Sequence, residues 1–94
     1  MKVMITGDLH LREAEEDRLK VLEWLCAQAR KEEADLVLIA GDLFESSSDF
    51  MELKNIIRRI FDRELKNIPS VIVPGNHDQF LEGSYYLGSG VSVL

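Results

Sequence analysis

The apolar positions of this chain alternate between short contiguous runs and helically spaced stripes. Val3-Met4-Ile5-Thr6, Leu36-Val37-Leu38-Ile39-Ala40 and Val71-Ile72-Val73 are short contiguous runs rich in strand-forming residues. Such runs read as β-strands. Between the first two, from about Glu15 to Lys31, the apolar positions are Leu19, Leu22, Leu25, Cys26 and Ala29, one stripe of an amphipathic helix. Asp17 and neighbouring glutamates fall in its first turn and Arg30 and Lys31 in its last, the distribution that a helix dipole favours. Phe50, Leu53, Ile56, Ile57, Ile60 and Phe61 predict a second helix, with Ser48 or Asp49 as its cap. Pro69 closes the loop before the third strand and Pro74 ends that strand. Val91 to Leu94 predicts a fourth strand. Between 79 and 88, Phe80, Leu81, Tyr85, Tyr86 and Leu87 leave a short helix open.

Strand–helix–strand–helix–strand order predicts an α/β fold. Its sheet is small and mostly parallel, built from β-α-β-α-β(-β) units with the helices packed on it. The second run is apolar throughout after Asp35, which predicts a strand covered on both faces. With so few strands, an uncovered face or edge of the sheet is also compatible with the pattern.

Composition narrows this little. The 94 residues suffice for one small domain, 1–94, with 46% hydrophobic and 30% charged residues, as in ordinary soluble globular chains. The net charge of −6 repels a phosphate backbone, which argues against a simple nucleic-acid-binding module. It leaves open an enzyme whose metal ions offset the charge. Cys26 is the single cysteine, so no intrachain disulfide forms and a reducing cytoplasm is the expected location. No basic segment followed by a long apolar stretch marks a secretory signal, and no run approaches the ~20 apolar residues of a membrane span.

Three polar motifs follow the three strand-like runs: Asp8-Leu9-His10, Gly41-Asp42 and Gly75-Asn76-His77-Asp78. They place carboxylate, imidazole and amide groups beyond the carboxyl ends of consecutive strands, where open α/β sheets bind ligands. Oxygen and nitrogen donors without a thiolate suit a hard or borderline divalent metal. Asp8 and His10 are two residues apart, so an extended segment would point both at one ion. Asp42 can bridge two ions, and the Asn76 amide oxygen can serve as a ligand. His77 can donate a proton to a leaving oxygen, with Asp78 orienting it. Each motif also has a plain reading as a polar turn. The joint case is stronger, because both histidines of the chain fall inside these motifs. A metal site on this edge points to hydrolysis of a phosphate ester.

Other conspicuous residues read as structural. Trp24 is expected to be a partly buried packing residue, and Tyr85 and Tyr86 to pack rather than stack on a base. Arg58, Arg59, Arg63 and Lys66 compensate a helix dipole and solvate it, and Glu13, Glu15, Glu16 and Asp17 form a solvated helix start.

The three motifs, intact and in order, resemble the calcineurin-like metallophosphoesterase superfamily, whose pattern is Asp-x-His, Gly-Asp, Gly-Asn-His-Asp/Glu and two later histidine motifs. The resemblance implies that Asp8 and His10 bind one metal, Asp42 bridges two, and Asn76 binds the second. It makes His77 the general acid or a phosphate contact, with Asp78 its orienting partner. It implies a hydroxide nucleophile shared by two divalent ions, Mn²⁺ foremost, with Zn²⁺, Fe or Mg²⁺ as alternatives. The later Gly-His and Gly-His-x-His motifs are absent, so the resemblance covers the N-terminal half of such a domain, half of the family's sandwich. Gly41-Asp42-Leu43-Phe44-Glu45 is similar to two branches, the DNA-repair exonucleases (SbcD-like) and the enzymes that cleave UDP-diacylglucosamine. The latter usually carry Arg at the position of His77, which favours the nuclease branch; Leu9 stands where that branch usually has Trp.

The expected function is therefore metal-dependent phosphodiester hydrolysis of nuclease type, acting on a phosphoester substrate such as DNA. The site is incomplete in this chain, and turnover by the isolated chain is weak or absent. The alternatives are a non-catalytic remnant or interaction module of the same fold, or a UDP-diacylglucosamine pyrophosphohydrolase-like enzyme. A Rossmann-like nucleotide binder is disfavoured, because Gly7-Asp8-Leu9-His10 lacks the phosphate-cradling glycines. Self-association, through an uncovered sheet and the strand from Val91 to Leu94, or a partner that supplies the missing half, is expected; a membrane is not.

Overall fold

Strands and helices alternate along the chain in the order β1 (Val3–Gly7), α1 (Glu16–Lys31), β2 (Leu36–Ala40), α2 (Ser47–Glu64), β3 (Ser70–Val73) and β4 (Val91–Val93). The computed structural model describes residues 1–75, 87 and 90–94. The four strands form one sheet in the order β1-β2-β3-β4, and all three pairings are parallel. Sheet order follows chain order, so right-handed crossovers carry α1 and α2 to the same face.

Burial along the strands shows this one-sidedness. Val37, Ile39, Ser70 and Ile72 are buried, whereas their neighbours Leu36, Leu38 and Val71 are half-buried and Ala40 and Val73 exposed. The register joins Ile5 to Leu38 and Leu38 to Val71, so these side chains form one row across the open face. Ile5 is 67% exposed at its end. The expectation that β2 is covered on both faces therefore fails among the described residues. An unbroken apolar run fits a strand with one open face equally well, because composition alone carries no alternation.

The core lies between the sheet and the helices. Leu22, Cys26 and Ala29 of α1, and Phe50, Leu53, Ile57, Ile60 and Phe61 of α2, are buried against Val37, Ile39 and Ile72. Each fully buried large side chain contributes roughly 1.5–3 kcal/mol by area. Ile56 belongs to the predicted stripe of α2 but is 41% exposed, and Trp24 is 60% exposed rather than partly buried. Both lie on helix flanks that face away from the sheet.

The cap of α2 is Ser46, earlier than the predicted Ser48 or Asp49. Its side chain accepts the Asp49 N–H at 3.2 Å, and its hydroxyl donates to the Asp49 carboxylate at 2.6 Å. Ser46 thus serves the first helical turn as an N-cap, and the other oxygen of Asp49 accepts the N–H of Glu13 at 2.9 Å. Across the helix seam, buried Glu64 pairs with Arg30 (Nε–Oε2 3.0 Å) and Arg63 (Nε–Oε1 3.0 Å). The Arg30 contact neutralises charge without hydrogen-bond alignment at Oε2. Arg63 also reaches Glu23 of α1 at 3.5 Å, so this predicted solvating group helps tie the helices together.

Candidate metal centre

The backbone that follows β1 runs beside the backbone that follows β2. The Asp8 N–H donates to the Gly41 carbonyl (3.1 Å), that of His10 to the Asp42 carbonyl (2.9 Å), and that of Leu11 to the Leu43 carbonyl (2.8 Å). The N–H of Gly41 donates to the Val73 carbonyl (2.8 Å), which ties the second loop to the end of β3. Leu11, Leu43 and Phe44 have no exposed surface and pin both loops to the core. Phe44 meets Phe50 edge to face at 5.1 Å, linking the β2 loop to α2. The sequence dictates this by placing a large apolar residue immediately after the first two polar motifs, Leu11 after His10 and Leu43 after Asp42.

On this scaffold Asp8, His10 and Asp42 converge, each offering one ligand atom within 4.8 Å of the others. Asp8 is exposed and the other two are half-buried. All three have left-handed backbone, with φ of 52°, 48° and 38°, and Gly41 between the loops has φ 80°. Non-glycine residues rarely hold this conformation, and such strain gathers at ligand-binding sites. It also corrects the expected cause of convergence. Asp8 and His10 do not share a face through an extended pleat; the left-handed turns aim them.

Two carboxylates and an imidazole are a donor set that fits a divalent cation such as Mn²⁺ or Zn²⁺. Asn76, His77 and Asp78 lie outside the described residues, as do Phe80, Leu81, Tyr85 and Tyr86. Gly75, the residue before Asn76, sits directly against Asp42, so the third motif begins at the cluster.

Sequence reasoning missed the groups around His10. Its Nδ1 is hydrogen-bonded with Glu45 Oε2 at 2.8 Å, and the other oxygen of Glu45 pairs with Arg12 at 3.2 Å. The hydrogen bond from Arg12, and then that from His10, hold the Glu45 carboxyl below the usual carboxylate range. Arg12 also pairs with Glu15 at 3.2 Å, and Glu15 pairs with Arg18. Arg18 donates to the carbonyls of Leu9 (3.4 Å) and His10 (3.3 Å). Glu15 is thus an ion-pair hub rather than part of a solvated helix start. The available signal was Glu45 itself, three residues after a metal-ligand candidate in a chain whose other such motif carries a histidine.

A concavity of 430 Å³ lined by Phe61, Asp62, Arg63, Leu65, Lys66, Gly90 and Val91 lies at the opposite, amino edge of the sheet. Its single carboxylate, Asp62, beside Arg63 and Lys66 offers no ligand set. Donor chemistry locates the centre better than volume does.

A family model described as calcineurin-like phosphoesterase matches residues 1–92. The chain belongs to the calcineurin-like phosphoesterase family. This calcineurin-like phosphoesterase domain thus has an all-parallel α/β sheet whose carboxyl edge gathers an Asp-His-Asp group suited to the divalent metal that the family's chemistry uses. None of its described helices is long and apolar enough to cross a membrane.

Proposed function

We propose that the chain supplies the amino-terminal part of a dinuclear, Mn²⁺-dependent phosphodiesterase site of nuclease type. The observation that supports this best is the cluster of Asp8, His10 and Asp42, held on left-handed backbone at the carboxyl edge of the sheet. Asp8 and His10 would hold one ion, Asp42 would be shared, and Asn76 would hold the second. When bound, the ions supply Lewis-acid stabilisation of the charge that grows on phosphoryl oxygens. The chain's own tasks are then separable. Asp8 and Asp42 fix the position of positive charge, and the packed Leu11, Leu43 and Phe44 keep the two loops in register. His77 delivers a proton to the leaving oxygen, and Asp78 holds its ring for that transfer. His77 in place of the Arg of UDP-diacylglucosamine-cleaving enzymes favours the exonuclease branch, with DNA as substrate and the cytoplasm as location.

Four donors are few for two ions, so turnover by the isolated domain 1–94 is slow. The open sheet face and the edge strand β4 favour association with a second copy of the chain. The test is titration with Mn²⁺, read by electron paramagnetic resonance, with cleavage of bis(p-nitrophenyl) phosphate measured in parallel. Saturable binding lost in Asp42→Ala and weakened in Asp8→Ala is the expected result, and any turnover present should vanish in Asp42→Ala and His77→Ala. Wild-type protein that is folded but binds no Mn²⁺ would sink the assignment.

A further inference from the structure

We propose that Glu45 is the positioning residue of His10: its carboxylate accepts a hydrogen bond from Nδ1–H, fixes the ring in one tautomer and orientation, and so gives the metal-ligand role to Nε2. The inference rests on the metal-site assignment above and extends it to a residue outside the ligand set.

The geometry has three parts. Nδ1 of His10 lies 2.8 Å from Glu45 Oε2, and an ionised carboxylate can only accept, so Nδ1 carries the hydrogen. Glu45 is bonded to His10 but is not a member of the converging Asp8-His10-Asp42 group, which sets it outside the donor set. Finally, Glu45 is itself held. Arg12 grips its second oxygen at 3.2 Å and leans on Glu15, and Glu15 pairs with Arg18. Arg18 closes the circuit on the carbonyls of Leu9 and His10. The loop therefore grips His10 twice, by its ring through Glu45 and by its backbone through Arg18.

The physical need is clear. A neutral imidazole can carry its proton on either nitrogen, and only the unprotonated nitrogen binds a cation. The left-handed backbone at His10, φ 48°, aims the side chain but leaves ring rotation and tautomer open. A carboxylate on the far nitrogen settles both and raises the basicity of the ligating one. Outer partners of this kind are typically worth ~10–100-fold in metal affinity. Arg12 occupies the other oxygen of Glu45, which leaves Oε2 to accept from the ring.

The experiment has two arms on the full chain. Long-range ¹H–¹⁵N spectra of the metal-free protein, taken at pH ~8 where imidazole is neutral, report the tautomer of His10, with His77→Gln used only to assign the two rings. The wild-type ring should be the Nδ1–H form, and Glu45→Leu should turn it into a mixture. Mn²⁺ affinity by competition with a chromophoric chelator should fall ~10–100-fold in Glu45→Leu. It should recover in large part in Glu45→Gln, whose amide oxygen still accepts from Nδ1. A wild-type ring in the Nε2–H form overturns the proposal, even if Glu45→Leu fails to fold. So does a folded Glu45→Leu protein with unchanged tautomer and unchanged affinity. Wild-type protein that binds no Mn²⁺ defeats the metal assignment and this inference with it. Intact wild-type binding that is indifferent to Glu45 defeats the role of Glu45 alone.

Discussion

Gly75 is packed so closely on Asp42 that a β-carbon at position 75 would overlap both the backbone nitrogen and the carboxylate oxygen of Asp42. The overlap is with backbone as well as with a side-chain tip, so it cannot be relieved by a rotamer change alone. Gly75→Ala should therefore displace Asp42 from Asp8 and His10 while leaving α1, α2 and the sheet in place. The expected outcome is Mn²⁺ affinity reduced by at least ~10-fold, by analogy with lost supporting contacts, and a far-ultraviolet circular dichroism spectrum like that of wild type. Full affinity in Gly75→Ala would show that the two loops separate freely.

Ser46 and Asp49 form the second testable contact. The Ser46 hydroxyl first, and then the N–H of Glu13, hold the Asp49 carboxyl below its ordinary value of 3.8. A lowered folded-state value means that the contribution is present above the unfolded-state pKa and is lost as pH falls through the lower, folded one. Ser46→Ala should cost ~1 kcal/mol at neutral pH, a typical N-cap loss. It should also flatten the decline of stability below pH ~4. Urea denaturation of both proteins from neutral to acid pH measures this; a constant difference at all pH values would remove Asp49 from the account.

Much of this architecture is legible in the chain because its signals are local. The stripe from Phe50 to Phe61 sets the face of α2, the first two polar motifs follow their strands without a gap, and only Pro74 separates the third from β3. The cap was misplaced because Ser46, Ser47 and Ser48 offer equivalent hydroxyls, and only the three-residue distance to Asp49 selects the first. Coverage of β2 was misjudged because an apolar run cannot say whether the second face meets a helix or nothing described. The site shows the same division. Asp8, His10 and Asp42 announce themselves by position, while the contact of His10 with Glu45 spans 35 residues and depends on two loops running in parallel. Nothing in the sequence fixes that register except the buried pairs Leu11 and Leu43 with Phe44.

The open face of the sheet should make the chain self-associate. Val3, Ile5 and Val73 are 40%, 67% and 38% exposed on a surface continuous with Leu38 and Val71. Ile5→Lys puts a charge on the most exposed apolar side chain of that surface, at its β1 end, without touching the helix face of β1. Sedimentation velocity should show concentration-dependent association of wild type and a shift toward monomer in Ile5→Lys. A wild-type monomer at high concentration would refute the prediction.

Cys26 should be a silent thiol in the native state and an ordinary one when unfolded. It is 2% exposed in the helix seam. Burial foremost, and then the neighbouring carboxylates of Glu64 and Glu23, push its thiol from 9.0 up to about 12, with Arg63 opposing. The thiolate is the nucleophile, so both its scarcity and its inaccessibility slow alkylation. Iodoacetamide at mildly alkaline pH should label Cys26 rapidly in urea and slowly in native protein. The linkage has a definite sign. Because the folded-state value is raised, this thiol's contribution to stability is complete below the unfolded value of 9.0 and is lost progressively as pH rises toward about 12. Cys26→Ala removes the titrating group, so its stability should fall less steeply over that interval than wild type does, although filling less of the seam lowers its stability at neutral pH. Parallel alkaline limbs for the two proteins, or native labelling as fast as in urea, would mean that the seam between α1 and α2 opens at Cys26 and does not shield it.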